Sequence, residues 1–165
     1  MALSNSEIKF KGESLVVLGE SLKVGAPVPQ FKLTATDMST VASDNFAGEK
    51  FIILTVPSLD TPTCAIEAKK FNEKASKSAK ILLVSRDLPF AQKRYCAAEG
   101  VENLVMASDY KDHSFGKSFG VEIRDWSLHA RAVFSVDASG VIRHVEYVED
   151  VSAEPDYEAA LSAIA

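Results

Sequence analysis

The chain has 165 residues, 47% of them hydrophobic and 25% charged, with a formal net charge of −5. That length predicts one domain, spanning 1–165, with room for a substantial core. The acidic balance argues against nucleic acid as a partner, and no apolar run approaches the roughly 18 residues of a membrane span.

Ile8 to Phe10 and Leu15 to Leu18 are β-prone runs around Lys11-Gly12-Glu13, which predicts an N-terminal hairpin. Lys23 to Pro29 reads as loop. Phe31 to Ala35 alternates like a half-buried strand, Thr36 to Ser39 as a turn, and Ser43 to Ala47 as one helical turn ended by Gly48. Phe51 to Val56 is unbroken apolar sequence, the pattern of a strand buried on both faces. A helix is expected from there to about Lys77, its N-cap Thr61, with Pro62 at the first helical position.

Lys80 to Ser85 is a second apolar strand. Asp87 is the expected cap of a second helix, with Pro89 in its first turn, Gly100 past its end, and an apolar stripe of Leu88, Ala91, Tyr95 and Ala98. Cys96, in line with Gln92, is expected to be partly exposed. A third strand follows at Asn103 to Ala107, then a short helix from His113 to Phe119 before Gly120. Ala130 to Val136 and Val141 to Val148 flank Asp-Ala-Ser-Gly as a hairpin, and Glu154-Pro155 opens a last helix with Tyr157, Ala160, Leu161 and Ile164 on one face. This order predicts an α/β fold with a mixed central sheet. A thioredoxin-like arrangement fits it, and the late hairpin counts against the flavodoxin-like alternative.

Cys64 falls at the third helical position, where a capping box carries Glu or Gln. A thiolate there would sit among unpaired N–H groups at the positive end of the helix dipole. Such sites lower a cysteine pKa to about 3.5–7.5, so an activated nucleophile is expected. The alternative is a small buried residue, since Cys64, Ala68, Phe71 and Ala75 share one helical stripe. The N-terminus lacks the basic and apolar regions of a signal peptide, so a cytoplasmic setting with reduced thiols is expected. Two cysteines there point to redox or catalytic chemistry. With no Cys-x-x-Cys and no His pair at ligand spacing, no metal is expected.

Parallel strand–helix units start both cysteine helices at one sheet edge. Cys96, about eight residues into its helix, then lies roughly 12 Å further along than Cys64. A disulfide needs Cα atoms within about 7 Å. The pair is therefore expected to be unbonded at rest. Arg131 is a candidate to hold a thiolate charged. A two-residue turn at Ala138-Ser139 would instead set it opposite Glu146 in a cross-strand ion pair. His113, His129 and His144 sit in no pattern and are expected at or near the surface.

Pro57, Thr61 and Cys64 reproduce the Pro-x-x-x-Thr-x-x-Cys signature of peroxiredoxins. Leu88-Pro-Phe-Ala-Gln with Cys96, Ala130-Arg-Ala-Val-Phe, and Glu154-Pro-Asp-Tyr-Glu-Ala-Ala-Leu resemble the bacterial thiol peroxidase branch. The resemblance covers nearly the whole chain. It implies a thioredoxin-dependent peroxidase for hydrogen peroxide and organic hydroperoxides, with Cys64 peroxidatic, Cys96 resolving through an intrachain disulfide, and Pro57, Thr61 and Arg131 shaping the pocket. It further implies a homodimer, thioredoxin as reductant, and no cofactor. Pro62-Thr63 departs from the more varied, often glycine-containing pairs of the branch. A redox sensor that passes its disulfide to a partner would share the first step, and a binding protein with an inert Cys64 would react slowly and equally at both thiols.

Overall fold

The computed structural model describes residues 6–75, 79–100 and 104–165. Its strands are β1 (Ser6–Phe10), β2 (Glu13–Leu18), β3 (Lys32–Ala35), β4 (Thr40–Ala42), β5 (Phe51–Thr55), β6 (Lys80–Ser85), β7 (Leu104–Ser108), β8 (Glu122–Ile123), β9 (Leu128–His129), β10 (Ala132–Val136) and β11 (Ile142–Tyr147). The helices are α1 (Pro62–Ala75), α2 (Pro89–Glu99), α3 (Ser114–Ser118) and α4 (Tyr157–Ser162), with a 3₁₀ turn at Ser43–Phe46. The mixed α/β architecture anticipated from the sequence is present. The ends of the expected first helix and third strand, at 76–77 and 103, lie outside the described residues.

The main sheet runs β11-β10-β5-β6-β7-β3-β4. β5, β6 and β7 are parallel, and their neighbours are antiparallel. β5 is buried along its whole length, which is why its sequence carries no alternation. Its side chains still divide by pleat. Phe51 and Ile53 join Phe31, Phe46, Phe115, Phe119 and Phe134 on one face, beneath the small sheet β1-β2-β8-β9. Ile52 and Leu54 face the other way and pack with Cys64, Ala68, Phe71, Ala160 and Ile164. Right-handed crossovers between neighbouring parallel strands put consecutive helices on one face. Both cysteine-bearing helices therefore share a layer.

Three expectations need correction. Asp87 does not cap α2. The N-cap residue is Leu88, extended and without a side-chain cap bond, and Pro89 at the helix start has no N–H to satisfy. The inward face of α2 is not the apolar stripe either: Leu88 is 54% exposed and Ala98 is exposed, whereas Pro89 and Gln92 are buried. A polar anchor sets this face, because the Gln92 amide donates to the Ala107 carbonyl at 2.9 Å and to Ser85 Oγ at 3.1 Å. Finally, the β10–β11 register sets Val133 opposite Glu146, with an irregularity at Ser135/Val136. Arg131 O accepts from Val148 N–H, so the expected Arg131–Glu146 pair does not form.

His129 also departs from expectation. It is fully buried, and its Nε2 lies 2.8 Å from Asp109 Oδ2. Arg86 ties Asp109 to Glu122 in the same buried cluster. The sequence neighbours of His129 give no hint of this, because Asp109, Arg86 and Glu122 come from three other segments.

Gly120 holds the small sheet close to the turn after α3. At φ +67°, an added Cβ would lie 2.5 Å from the Glu20 carbonyl oxygen, whereas Gly140, at φ +81°, opens onto free space. Left-handed backbone alone costs a non-glycine residue about 1–2 kcal/mol, and forced overpacking adds about 1–3 kcal/mol. Gly120→Ala should therefore destabilise more than Gly140→Ala in denaturant titrations. Equal losses in the two variants would refute the close approach.

Candidate active site

Cys64 lies just beyond the carboxyl ends of the parallel strands, where open α/β sheets place their ligand sites. Val56 and Pro57, both buried, leave β5, and a tight turn at Ser58–Asp60 leads into α1. The Ser58 carbonyl accepts the Thr61 N–H at 3.2 Å and the Thr61 hydroxyl at 3.1 Å. Thr61 Oγ1 accepts the Cys64 N–H at 3.3 Å, and Thr61 O accepts the Ala65 N–H. Thr61 thus makes the expected N-cap bond to the third helical residue.

Arg131, directly before β10, reaches the same place from the neighbouring strand. It is 1% exposed. Its Nη1 donates to Cys64 Sγ at 3.1 Å and also to Glu67 Oε2. Nε and Nη2 are both spent on the Val151 carbonyl, at 3.1 and 2.9 Å, which fixes the plane of the guanidinium. The Val151 segment is held in turn by β1. Lys9 N–H donates to Glu149 O at 2.6 Å and Val151 N–H to Lys9 O at 2.9 Å. Thr63 Oγ1 donates to Ser152 O at 3.1 Å, so the Pro62-Thr63 variation adds a tie between α1 and this segment.

Burial pushes the Cys64 thiol above its ordinary pKa. The Arg131 charge, the Thr61 hydroxyl and the Ser58 backbone amide pull the other way without overcoming it. The helix-terminus argument foresaw the direction of these pulls but not that full burial would outweigh them. The backbone donor also differs: the amide facing the sulfur belongs to Ser58, since Thr61 N–H is occupied by Ser58 O.

Glu67 was not foreseen. It is fully buried one turn after Cys64, with Oε1 unpartnered among the described residues. Burial lifts its pKa to about 7 despite the adjacent Arg131. Its spacing was the available signal. Glu67 lies three residues after Cys64 and one before Ala68, so it borders the buried stripe.

Cys96 is half-buried, as expected, and its thiol meets Met106 Sδ at 3.2 Å. Both cysteines are free. The structure thus brings Cys64, Thr61 and Arg131 together with Pro57 beside them, and sets Cys96 apart on α2. Among the described residues, no group of three or more His, Cys, Asp or Glu could hold a metal ion, and no helix is long and apolar enough to cross a membrane.

The fold and site define a thioredoxin-like redox domain with a buried, arginine-paired cysteine at a helix start. A family model described as Redoxin matches residues 23–161. A thiol peroxidase of Streptococcus pneumoniae is 44% identical over 158 residues, covering 94% of this chain and 97% of that protein. A thiol peroxidase of Mycobacterium tuberculosis is 44% identical over 163 residues, covering 96% and 98%. The crystal structure of a peroxiredoxin-like protein from Aquifex aeolicus superposes with a TM-score of 0.88 at 34% identity, covering 98% of this chain and 96% of that one. The chain belongs to the redoxin family and, within it, to the thiol peroxidase branch of the peroxiredoxins.

The Glu67 shift carries a stability signature. Its folded pKa lies above its ordinary 4.5, so its stabilising contribution is complete below pH 4.5 and lost as pH rises through about 7. Wild-type stability relative to Glu67→Gln should therefore fall across that window, by about 3 kcal/mol at most. Urea melts at several pH values measure it, and a difference that does not change with pH would show that Glu67 titrates normally.

Proposed function

We propose that this chain is a thiol-dependent peroxidase in which Cys64 reduces hydroperoxides. The observation that carries the proposal is the 3.1 Å contact between the buried, plane-locked Arg131 Nη1 and Cys64 Sγ. A guanidinium that cannot lose its proton favours the thiolate, which is the attacking species. The thiolate attacks the terminal oxygen of ROOH, the O–O bond breaks, and the departing alkoxide takes a proton to leave as alcohol, or as water from hydrogen peroxide. Arg131 and the Thr61 hydroxyl stabilise charge on the two oxygens, while Pro57 walls the approach. Cys64 becomes a sulfenic acid.

Cys96 then attacks that sulfur, water leaves, and an intrachain Cys64–Cys96 disulfide forms. A dithiol protein of the thioredoxin type restores both thiols by exchange. The relatives' shared description as thiol peroxidases supports the peroxide chemistry. The resemblance adds a cytoplasmic homodimer with no cofactor.

Two measurements test this reading. Peroxide consumption with thioredoxin and its reductase, across hydrogen peroxide and alkyl hydroperoxides, should show turnover. Cys64→Ser should abolish it, while Cys96→Ser should consume about one equivalent and stop at the sulfenic acid. Stopped-flow consumption by Cys64→Ser would reassign the nucleophile. Arg131→Met should slow the peroxide step by roughly 10²-fold or more, the scale of a lost oxyanion donor, and raise the Cys64 alkylation midpoint in a Cys96→Ser background. An unchanged rate and midpoint would remove Arg131 from the site.

A further inference from the structure

We propose that Asp87 is a positioning residue that straps the turn before Cys64 to the helix carrying Cys96. By doing so it sets how Cys64 sulfenic acid divides between disulfide formation and overoxidation. The inference rests on the peroxidase reading above and deepens it.

The geometry is a carboxylate between two segments. Asp87 Oδ1 accepts from Ser58 Oγ at 2.8 Å, and Oδ2 accepts from Leu59 N–H at 2.9 Å and Ser85 Oγ at 2.7 Å. Ser58 and Leu59 form the turn whose carbonyl at Ser58 holds Thr61 and whose Ser58 amide faces the Cys64 sulfur. On the other side, Asp87 O accepts from Ser108 Oγ at 2.6 Å, and Ser85 Oγ accepts from Gln92 Nε2 at 3.1 Å. Gln92 is fully buried and stands one turn before Cys96. The carboxylate therefore holds the turn before Cys64 directly and reaches the first turns of the Cys96 helix through Ser85 and Gln92.

That position matters because the two thiols are unbonded and each is engaged elsewhere. Cys64 is 0% exposed behind Arg131, and Cys96 is turned onto Met106. Bonding them requires the turn and α2 to shift relative to each other, and the Asp87 bonds to Ser58 and Leu59 span that boundary. While they hold, Cys64 sulfenate stays in the peroxide site. There, a second hydroperoxide converts Cys64–SO⁻ to Cys64–SO₂⁻ and leaves as alcohol. When they release, Cys96–SH displaces water from Cys64–SOH and forms the disulfide.

The test compares Asp87→Ala, Asp87→Asn and wild type by mass spectrometry of overoxidised Cys64 per turnover, by stopped-flow rates, and by Leu59 amide exchange. Loss of hydrogen bonds to a charged acceptor should lower overoxidation per turnover by roughly tenfold or more in Asp87→Ala, and slow the peroxide step. Asp87→Asn still offers an oxygen to Leu59 N–H and should recover most of both. The Leu59 amide should be protected in reduced wild type and exchange fast once the disulfide is formed with diamide, a measurement that needs no peroxide activity. An Asp87→Ala protein that is less stable but divides its sulfenic acid as wild type does would overturn the proposal. So would a Leu59 amide that stays protected in the disulfide form. A wild type that consumes no hydroperoxide yet releases Leu59 on oxidation would remove the peroxidase reading and the overoxidation partition with it, leaving only the strap between the thiols.

Discussion

The whole arrangement depends on one buried cation. Arg131 is 1% exposed, and the energetic demand of holding a guanidinium there is severe unless every N–H is answered. Each answer recruits a different part of the chain. The Val151 carbonyl comes from the segment after β11, Glu67 and Cys64 from α1, and the strand that presents Arg131 lies against β5. The N-terminal hairpin enters indirectly, because β1 holds the Val151 segment through Lys9. An element that looks peripheral thus helps to aim the guanidinium.

The main architecture was legible from local pattern. The unbroken apolar runs of β5 and β6, the Pro62 start of α1 and the Gly100 stop of α2 each follow from chemistry within a few residues. The errors lie where a distant partner decides. α2 turns its Gln92 face inward because Ser85 and Ala107 accept the amide, so a stripe drawn from apolar residues alone chose the wrong face. Asp87 has the composition of a cap, but Ser58, Leu59 and Ser85 supply three donors from elsewhere. The turn pairs Val136 with Ile142, one step beyond a two-residue connection, and the irregularity at Ser135/Val136 adds a second step, so that Glu146 faces Val133 rather than Arg131.

The site was legible in its members and less so in its balance. Cys64, Thr61 and Pro57 are local to one turn, so their spacing locates them. Arg131 required the sheet order, since only the antiparallel pairing of β10 with β5 brings residue 131 beside the end of β5. Glu67 and His129 were missed for one reason. Both are polar residues whose burial is decided by partners far away in sequence: Arg131 for Glu67, and Asp109 for His129.

Glu67 also changes how the cysteine should be understood. Two acids, Cys64 and Glu67, share one guanidinium nitrogen, and burial raises the pKa of both. In so dry a site, two anions around one cation are disfavoured relative to one. When Glu67 is ionised it neutralises Arg131, and the thiol keeps its proton. When Glu67 is protonated, the guanidinium is free to stabilise the thiolate. Because burial lifts Glu67 to about 7, Glu67 itself occupies both protonation states near neutrality. Glu67 thus stands three residues along α1 from Cys64 and meets the same cation. The hold that Arg131 has on a Cys64 thiolate therefore depends on whether Glu67, on the same guanidinium nitrogen, carries a charge.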